Sequence, residues 1–256
     1  MSAARSAGAR QVRVSAEPSN LVKMLAEGLG TAFLVFVGCG AVASATLLGA
    51  TLKEKAFTEA EFGIIGLAFA IGICAAAYTI GKVSGAHVNP AITIGFWATR
   101  RIDTPTAAMY IIAQFIGAVI GALGVVEVFG TQVAKLNGLG ATAYMEPTSA
   151  IQAMFAEAIG TFIFMMVITS MANDSRSPAG WGGLIIGLTL GGIIFVMGSV
   201  TGASLNPART FGPYLIQSLF GGPITWGQIW VYFVGPIIGS VAAAFTYDYL
   251  AKPRRG

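Results

Sequence analysis

The sequence predicts an all-α membrane protein in which six transmembrane helices and two re-entrant half-helices form two inverted repeats. Three observations lead to this fold class: few charges, six long apolar stretches, and a block of sequence that occurs twice. Hydrophobic residues make up 55% of the 256 residues, and charged residues only 10%, against about 25% charged in an average soluble domain. A chain embedded in a bilayer can leave its outer surface apolar, whereas a soluble chain cannot.

Six stretches are long enough to cross a bilayer, which takes about 20 helical residues. We predict the spans at 21–48, 62–82, 107–130, 150–171, 180–200 and 226–250. They form a single domain, 21–250, between an N-terminal tail, 1–20, and a C-terminal tail, 251–256. The two repeats within it cover about 21–130 and 150–250.

Two further apolar segments, 89–99 and 206–217, are too short to span the membrane. As helices they would be about 15 Å long, or half a bilayer. Irregular backbone at membrane depth is tolerated only inside protein or beside a water-filled cavity. Two half-spans in corresponding places therefore predict a pore.

The repeat is visible in short matching blocks. AEGLGT, beginning at Ala26, matches AEAIGT at Ala156, and GAHVNPA, beginning at Gly85, matches GASLNPA at Gly202. Each copy holds three spans, so the second copy must enter the membrane in the opposite direction. Inverted repeats with broken helices place the functional site near the bilayer midplane, at the interface between the repeats.

The basic residues predict the orientation. Most of them lie on the side of the membrane that holds the two termini. The basic residues on that side are Arg5, Arg10, Arg13, Lys23, Lys82, Arg100, Arg101, Arg176, Lys252, Arg254 and Arg255. Those on the opposite side are Lys53, Lys55 and Lys135. The positive-inside rule then predicts that both termini are cytoplasmic, and we expect a multi-pass protein of the cell membrane. Because these residues sit at segment ends and form no basic face, we expect no binding of nucleic acid.

An Asn-Pro-Ala triplet opens each half-span, Asn89-Pro90-Ala91 in the first and Asn206-Pro207-Ala208 in the second. Asn is a strong N-cap and Pro favours the first helical position, so each triplet predicts a helix start. A lone copy would read as an ordinary cap, but two matched copies indicate a pore. Two helix N-termini at mid-membrane would repel cations, while the Asn amides offer donors to water. Neutral solutes would pass and protons would be excluded.

Here the sequence resembles a known family. SGAHVNPA from Ser84 and TGASLNPARTFGP from Thr201 are similar to the two signature loops of the aquaporins and glycerol facilitators, the major intrinsic proteins, and the likeness covers residues 21–250. The resemblance implies the aquaporin fold and passive conduction of water and small neutral solutes. It also implies a homotetramer in the lipid bilayer with one pore in each protomer. We expect no enzymatic activity, no cofactor and no metal.

Counting from the two motifs, the resemblance places an outer constriction at Phe69, Ile194, Ala203 and Arg209. Arg209 lies at membrane depth, where an isolated Arg costs about 2.5–3.5 kcal/mol on insertion scales. The functional interpretation is a fixed cation that donates hydrogen bonds to solutes; the alternative is an Arg that snorkels or pairs with a Glu.

Ile194 and Ala203 stand where strict water channels typically carry His and often Cys, so the constriction is expected to be wider and more apolar. Thr210 and Tyr232-Phe233, in contrast, differ from the residues usual in glycerol facilitators. The combination resembles prokaryotic aquaporins of intermediate type. We therefore expect water as the main solute with some glycerol, and a glycerol or small-solute facilitator as the alternative.

Three polar residues remain to be assigned. In this family the residues matching Glu27 and Glu157 brace the half-helix loops by accepting backbone N–H bonds, although an intramembrane acid also suits a proton relay. His87 is expected on the wall of the inner vestibule, with plain packing as the alternative. An ion-coupled secondary transporter also uses inverted repeats and broken helices, but the sequence offers no coupling-ion site apart from the two Glu residues.

Overall fold

The computed structural model describes residues 17–52 and 57–252. Within them, six helices are long and apolar enough to cross a membrane. The helices in chain order are α1 (Asn20–Leu52), α2 (Glu59–Ser84), α3 (Pro90–Ala98), α4 (Thr104–Phe129), α5 (Gln132–Lys135), α6 (Ala150–Asn173), α7 (Gly182–Thr201), α8 (Pro207–Leu219) and α9 (Val231–Ala251), with a 3₁₀ turn, Trp226–Gln228, before α9.

The predicted fold class is confirmed, and the helix ends differ from the predicted ones in two notable places. α1 continues to Leu52, beyond the predicted end at residue 48, and α9 begins at Val231, not at 226. The later start of α9 has a physical reason, because the Gln228 side chain bonds both backbone groups of Tyr144 and holds the preceding turn outside the helix. The short helix α5 was not predicted. Lys53 and Lys55, and the basic residues at 5, 10, 13, 254 and 255, lie outside the described residues.

The two short segments are helices that begin at the Asn-Pro pairs. Asn89 and Asn206 are extended N-cap residues whose side chains accept hydrogen bonds from Ala91 N and Ala208 N. Pro occupies the first position of each helix, where its missing N–H costs nothing. The motif therefore fixes where each half-helix starts.

The long helices pack in matched pairs, α1 against α4 and α6 against α9. Glycines permit this approach: a methyl group added at Gly117 would lie 2.1 Å from Gly28 O, and one added at Gly239 would lie 2.1 Å from Ala158 O. These equal distances show that the two repeats use the same contact. The remaining pair, α2 and α7, packs together where the halves meet.

Each half-helix packs on the last helix of the opposite half, α3 on α9 and α8 on α4. Gly95 of α3 and Gly212 of α8 lie at these contacts. An added methyl would meet Ser240 Oγ at 2.4 Å in the first case and the Ala118 backbone at 2.5 Å in the second. The halves are therefore interlocked.

At the end of the bundle where α1 begins and α9 ends, side chains of α9 link the loops. Asp248 forms an ion pair with Arg101, and Tyr247 donates to Asp174 Oδ2 at 2.8 Å. Hydrogen bonds from Arg176 hold the pKa of the Asp174 carboxyl well below its ordinary value. This cluster joins the loop after α3 to the loop after α6.

Candidate functional site

The two loops that precede the half-helices have an unusual backbone. Ala86 and Val88 have φ values of 51° and 44°, and Ala203 and Leu205 have 44° and 58°. This left-handed region is unfavourable for residues with a Cβ, above all for a β-branched one such as Val88. Such residues cost about 1–3 kcal/mol each and persist only where their surroundings hold them. The surroundings here are two buried carboxylates.

Glu27, fully buried on α1, accepts hydrogen bonds from the first loop, from α2 and from α4. Its Oε1 accepts from Ser84 Oγ at 2.7 Å and from His87 N at 2.9 Å. Its Oε2 accepts from Val88 N at 2.7 Å and from Gln114 Nε2 at 2.8 Å. The carboxylate thus binds two backbone N–H groups that the left-handed loop would otherwise leave without partners.

Glu157, fully buried on α6, does the same in the second half. Its Oε1 accepts from Thr201 Oγ1 at 2.7 Å and from Ser204 N at 3.0 Å, and its Oε2 accepts from Leu205 N at 2.7 Å. Hydrogen bonds to a charged acceptor contribute about 1.5–3 kcal/mol each, which is the scale of the backbone strain that they offset.

Two tyrosines complete the matched scaffold. Tyr110 donates its hydroxyl to Ser84 O, and Tyr232 donates to Thr201 O, both at 2.8 Å. In each half the tyrosine therefore fixes the end of the helix that leads into the loop. The sequence analysis assigned these tyrosines no role, although their repeat at matched positions was a usable signal.

The two Asn side chains bond across the interface between the halves. Asn89 Nδ2 donates to Leu205 O, and Asn206 Nδ2 donates to Val88 O, both at 2.8 Å. Each bond uses one of the two amide hydrogens, so each Asn keeps a second hydrogen for another acceptor. The crossing bonds hold the two helix N-termini together at the centre of the bundle.

A narrow cavity lies beside this junction, and it brings together all four residues of the expected constriction. The cavity is lined by Leu34, Phe69, Ile73, Asn89, Phe164, Leu190, Ile194, Ala203, Ser204, Leu205, Asn206 and Arg209. Its walls are mainly apolar, and the polar side chains on it are the two Asn amides, one hydroxyl and one guanidinium. A solute there would meet few hydrogen-bond partners.

Arg209 is 4% exposed, and its guanidinium is held at two places. Nη1 donates to Gly140 O at 2.6 Å, and Cζ lies 4.6 Å from the centre of the Phe69 ring, a cation–π distance. Among the described residues no carboxylate lies within ion-pair distance of Arg209. Most of its five N–H donors therefore remain free for other acceptors.

His87 lies away from the constriction cavity, next to α3 and α4. Its ring packs against Phe96 and Tyr110, with ring centres 4.8 and 5.3 Å apart, and Nδ1 lies 3.2 Å from Thr93 Oγ1. The residue is half-buried. These ring contacts support the packing interpretation, and the place of His87 on the wall of the inner vestibule stays a prediction.

Besides the two tyrosines, sequence reasoning missed Gln114 and Gly140. Gln114 is a fully buried amide in an apolar span, and that isolation was a signal. Gly140 contributes only a carbonyl from a loop 69 residues before Arg209. No side-chain pattern reveals such a contact.

Together the fold and this site define a class of protein: a membrane channel in which two inverted repeats each contribute a half-helix to one narrow passage. The profile of the major intrinsic protein family matches residues 14–247. The chain therefore belongs to the major intrinsic protein family, whose aquaporins are passive channels and not enzymes. It is accordingly an integral, multi-pass membrane protein that conducts water and small neutral solutes passively.

Several relatives are similar over almost the whole chain. The probable aquaporin AqpM of Archaeoglobus fulgidus is 48% identical over 90% of this chain and 97% of its own. Aquaporin AqpM of Methanothermobacter thermautotrophicus is 42% identical, again over 90% and 97%. The glycerol uptake facilitator protein-like 6 of Lactiplantibacillus plantarum is 39% identical over 87% and 95%.

A solved structure supports the same fold. The X-ray structure of the aquaglyceroporin from Plasmodium falciparum superposes with a TM-score of 0.79, at 25% sequence identity, over 90% of this chain and 96% of that one. The relatives thus include proteins named for water and proteins named for glycerol.

Proposed function

We propose that water is the main solute of this channel, that glycerol passes more slowly, and that Phe69, Ile194, Ala203 and Arg209 form the selectivity filter. The observation that carries the proposal is the single cavity lined by these four side chains and by both Asn amides. One buried cation faces apolar walls there. The cation supplies hydrogen bonds to a passing oxygen atom, and the walls accept the CH groups of a small polyol.

The proposed basis of cation exclusion is the junction of the half-helices. Asn89 and Asn206 cap two helices whose N-termini meet, and each N-terminus carries about half a positive elementary charge. The second hydrogen of each amide would bind the oxygen of a water molecule, turning its hydrogens away along the file. A chain of waters so oriented does not relay protons, and Arg209 adds a further positive charge.

Glu27 and Glu157 are proposed as structural braces and not as a proton relay. Each carboxylate accepts hydrogen bonds from its loop, which uses its lone pairs internally. His87 is proposed as a wall residue of the inner vestibule, oriented by Thr93. These roles belong to one channel domain, residues 21–250.

The orientation and assembly are part of the proposal. Lys23, Lys82, Arg100, Arg101 and Lys252 lie at the end of the bundle where α1 begins, which the positive-inside rule assigns to the cytoplasm of a cell membrane. A homotetramer is the assembly expected of the family. An apolar groove between α6 and α7, lined in part by Ile159, Ile163 and Val196, is available for a protomer contact.

A glycerol facilitator is the second candidate. The observation in its favour is Ile194, which is 3% exposed and lies on the cavity wall. Its side chain has no polar atom, so it offers water no hydrogen bond and can pack against the carbon atoms of glycerol. Comparing the permeabilities to the two solutes separates the two candidates.

The experiment compares the wild type with Ile194→His in proteoliposomes, using stopped-flow light scattering with water and glycerol. Histidine narrows the cavity and adds polar contacts, so the glycerol-to-water permeability ratio should fall several-fold. Ile194→Leu is the matched control, because leucine has about the same volume and adds no polar atom to the cavity wall. A wild type that passes no glycerol, or a ratio that Ile194→His leaves unchanged, contradicts the proposed filter.

A further inference from the structure

The loop between α5 and α6, residues 136–149, crosses the mouth of the bundle next to Arg209; we call it the strap. α8 meets it with three polar side chains, Thr210, Tyr214 and Gln217. Their spacing of four and three residues places them on one helix face. All three are buried, so this polar face of α8 contacts protein and not solvent.

Every one of these side chains bonds the strap. Gln217 Oε1 accepts from Leu139 N at 3.2 Å, while Gln217 Nε2 donates to Asn137 Oδ1 and, at 2.8 Å, to Pro223 O. Tyr214 donates its hydroxyl to Thr142 O, and the hydroxyls of Thr210 and Thr142 lie 3.3 Å apart. The strap is therefore attached to α8 on both sides of Gly140.

On its other side the strap lies directly against α1. A methyl group added at Gly138 would be 2.9 Å from Thr46 Cγ2, and one added at Gly140 would be 2.9 Å from Cys39 Sγ. Gly140 itself has a φ of +73°, which glycine adopts without strain. The strap is thus held between α1 and the polar face of α8, with little freedom to shift.

This placement matters because of what Gly140 binds. Its carbonyl is the hydrogen-bond acceptor of the Arg209 guanidinium among the described residues, at 2.6 Å. Gln217 lies eight positions after Arg209 on the same helix, about 12 Å along the axis, and does not line the cavity. The amide can therefore influence the guanidinium only through the strap.

We propose that Gln217 is a positioning residue that fixes the direction of Arg209 by holding the Gly140 carbonyl, so that the guanidinium stays on the cavity wall. If the strap loosens, Arg209 loses this acceptor, and the guanidinium can turn into the passage, where water would accept its hydrogen bonds. The inference rests on the proposed role of Arg209 in the filter. The first half contains no counterpart, because the matching residues on and after α3 are Thr93, Trp97 and Arg100.

The test measures water and glycerol permeability per channel in proteoliposomes for four proteins: wild type, Gln217→Met, Arg209→Val and the double variant. Methionine keeps the length of the side chain and removes its amide. In the Arg209 background, Gln217→Met should reduce water permeability by roughly three- to tenfold, the equivalent of about one ordinary hydrogen bond. In the Arg209→Val background the same substitution should have no effect, because no guanidinium remains to be positioned.

Tyr214→Phe, which removes the bond to Thr142 O, is run in both backgrounds as the milder variant and decides the test if Gln217→Met does not assemble. An equal reduction in both backgrounds, or none in either, overturns the positioning role. A failure of the proposed filter is distinguishable, since Arg209→Val alone would then leave the glycerol-to-water ratio at the wild-type value.

Discussion

The two halves of this channel share a backbone scaffold and differ in the side chains attached to it. Glu27 and Glu157 each bind two successive loop N–H groups, and Tyr110 and Tyr232 each bind the carbonyl at the end of the preceding helix, at the same distance. The scaffold was therefore duplicated with its hydrogen bonds. A left-handed loop at membrane depth needs these partners in either orientation.

The side chains next to the scaffold have diverged. The fourth residue of the half-helix motif is Ile92 in the first half and Arg209 in the second. His87 bonds Thr93, whereas the matching Ser204 bonds Thr210. The hydrogen bonds that support the loops are therefore the same in both halves, whereas the neighbouring side chains differ, above all in the buried cation Arg209 on the cavity wall.

The strongest test of the shared scaffold uses its closest helix contacts. Gly117→Ala and Gly239→Ala each put a methyl group 2.1 Å from a backbone carbonyl, and overpacking of this kind costs about 1–3 kcal/mol or more. Both variants should lose folded protein to a similar extent in a thermal-stability assay in detergent. Gly192→Ala is the control, since its added methyl meets nothing within 4 Å. A large difference between the thermal stabilities of Gly117→Ala and Gly239→Ala would contradict the claim that the two halves share this contact.

Glu27 and Glu157 should differ in how much folded protein is lost when each is replaced by alanine. Glu27 also accepts a hydrogen bond from Gln114 Nε2, and the Oε1 atom of Gln114 has no partner in the described structure. In the second half, the residue that matches Gln114 is Pro236, which has no side-chain amide. In Glu27→Ala the Gln114 amide can turn this oxygen to the released loop donors, so Glu157→Ala should lower assembly more. Each unpaired buried donor costs about 1–3 kcal/mol. Quantitative size-exclusion chromatography measures the folded yield.

Two further variants sharpen this comparison. Glu157→Gln keeps an acceptor oxygen and should assemble better than Glu157→Ala. Adding Gln114→Leu to Glu27→Ala should lower the folded yield to that of Glu157→Ala. Equal yields of Glu27→Ala and Glu157→Ala would show that Gln114 contributes nothing to the asymmetry.

The smallest expected effect concerns Ser240, which stands where the first half has Ala118. Its hydroxyl is buried and without a partner in the described structure. Removing an unsatisfied buried group is neutral or favourable, so Ser240→Ala should keep or raise the thermal midpoint. Thr169→Val is the contrast, because the Thr169 hydroxyl donates to Met165 O at 2.8 Å and its loss should cost about 1 kcal/mol. A clear drop for Ser240→Ala would mean that its hydroxyl is bonded.

Much of the fold was accessible from the sequence because the bilayer restricts the possible structures. Length and hydropathy were enough to place the six spans, and the Asn-Pro pairs marked the starts of both half-helices. The end of α1 was missed because the helix continues through Gly49, Ala50 and Thr51, which are weaker signals of a span than the apolar residues before them. The start of α9 was missed because the turn at Trp226 is held by Gln228. Such a tertiary contact leaves no local pattern.

The sequence predicted the parts of the site that depend on particular side chains, and it did not predict the parts that depend on backbone groups. Arg209 and the Asn residues stood out because polar groups at membrane depth are expensive. The crossed bonds to Val88 O and Leu205 O, and the acceptor Gly140 O, involve carbonyls that every residue has. Only the path of the chain shows which carbonyl is near.

The crossed Asn bonds also bear on how the protein is made. Asn89 donates to a carbonyl 116 residues further along the chain, and synthesis at about 5–20 residues per second delivers that partner only roughly 6 to 23 seconds later. Until then the Asn89 amide lacks its acceptor Leu205 O, and the Val88 carbonyl lacks its donor Asn206 Nδ2. The first half-helix must therefore be sheltered at the insertion machinery, or stay near the bilayer surface, and take its final depth only when the second one arrives.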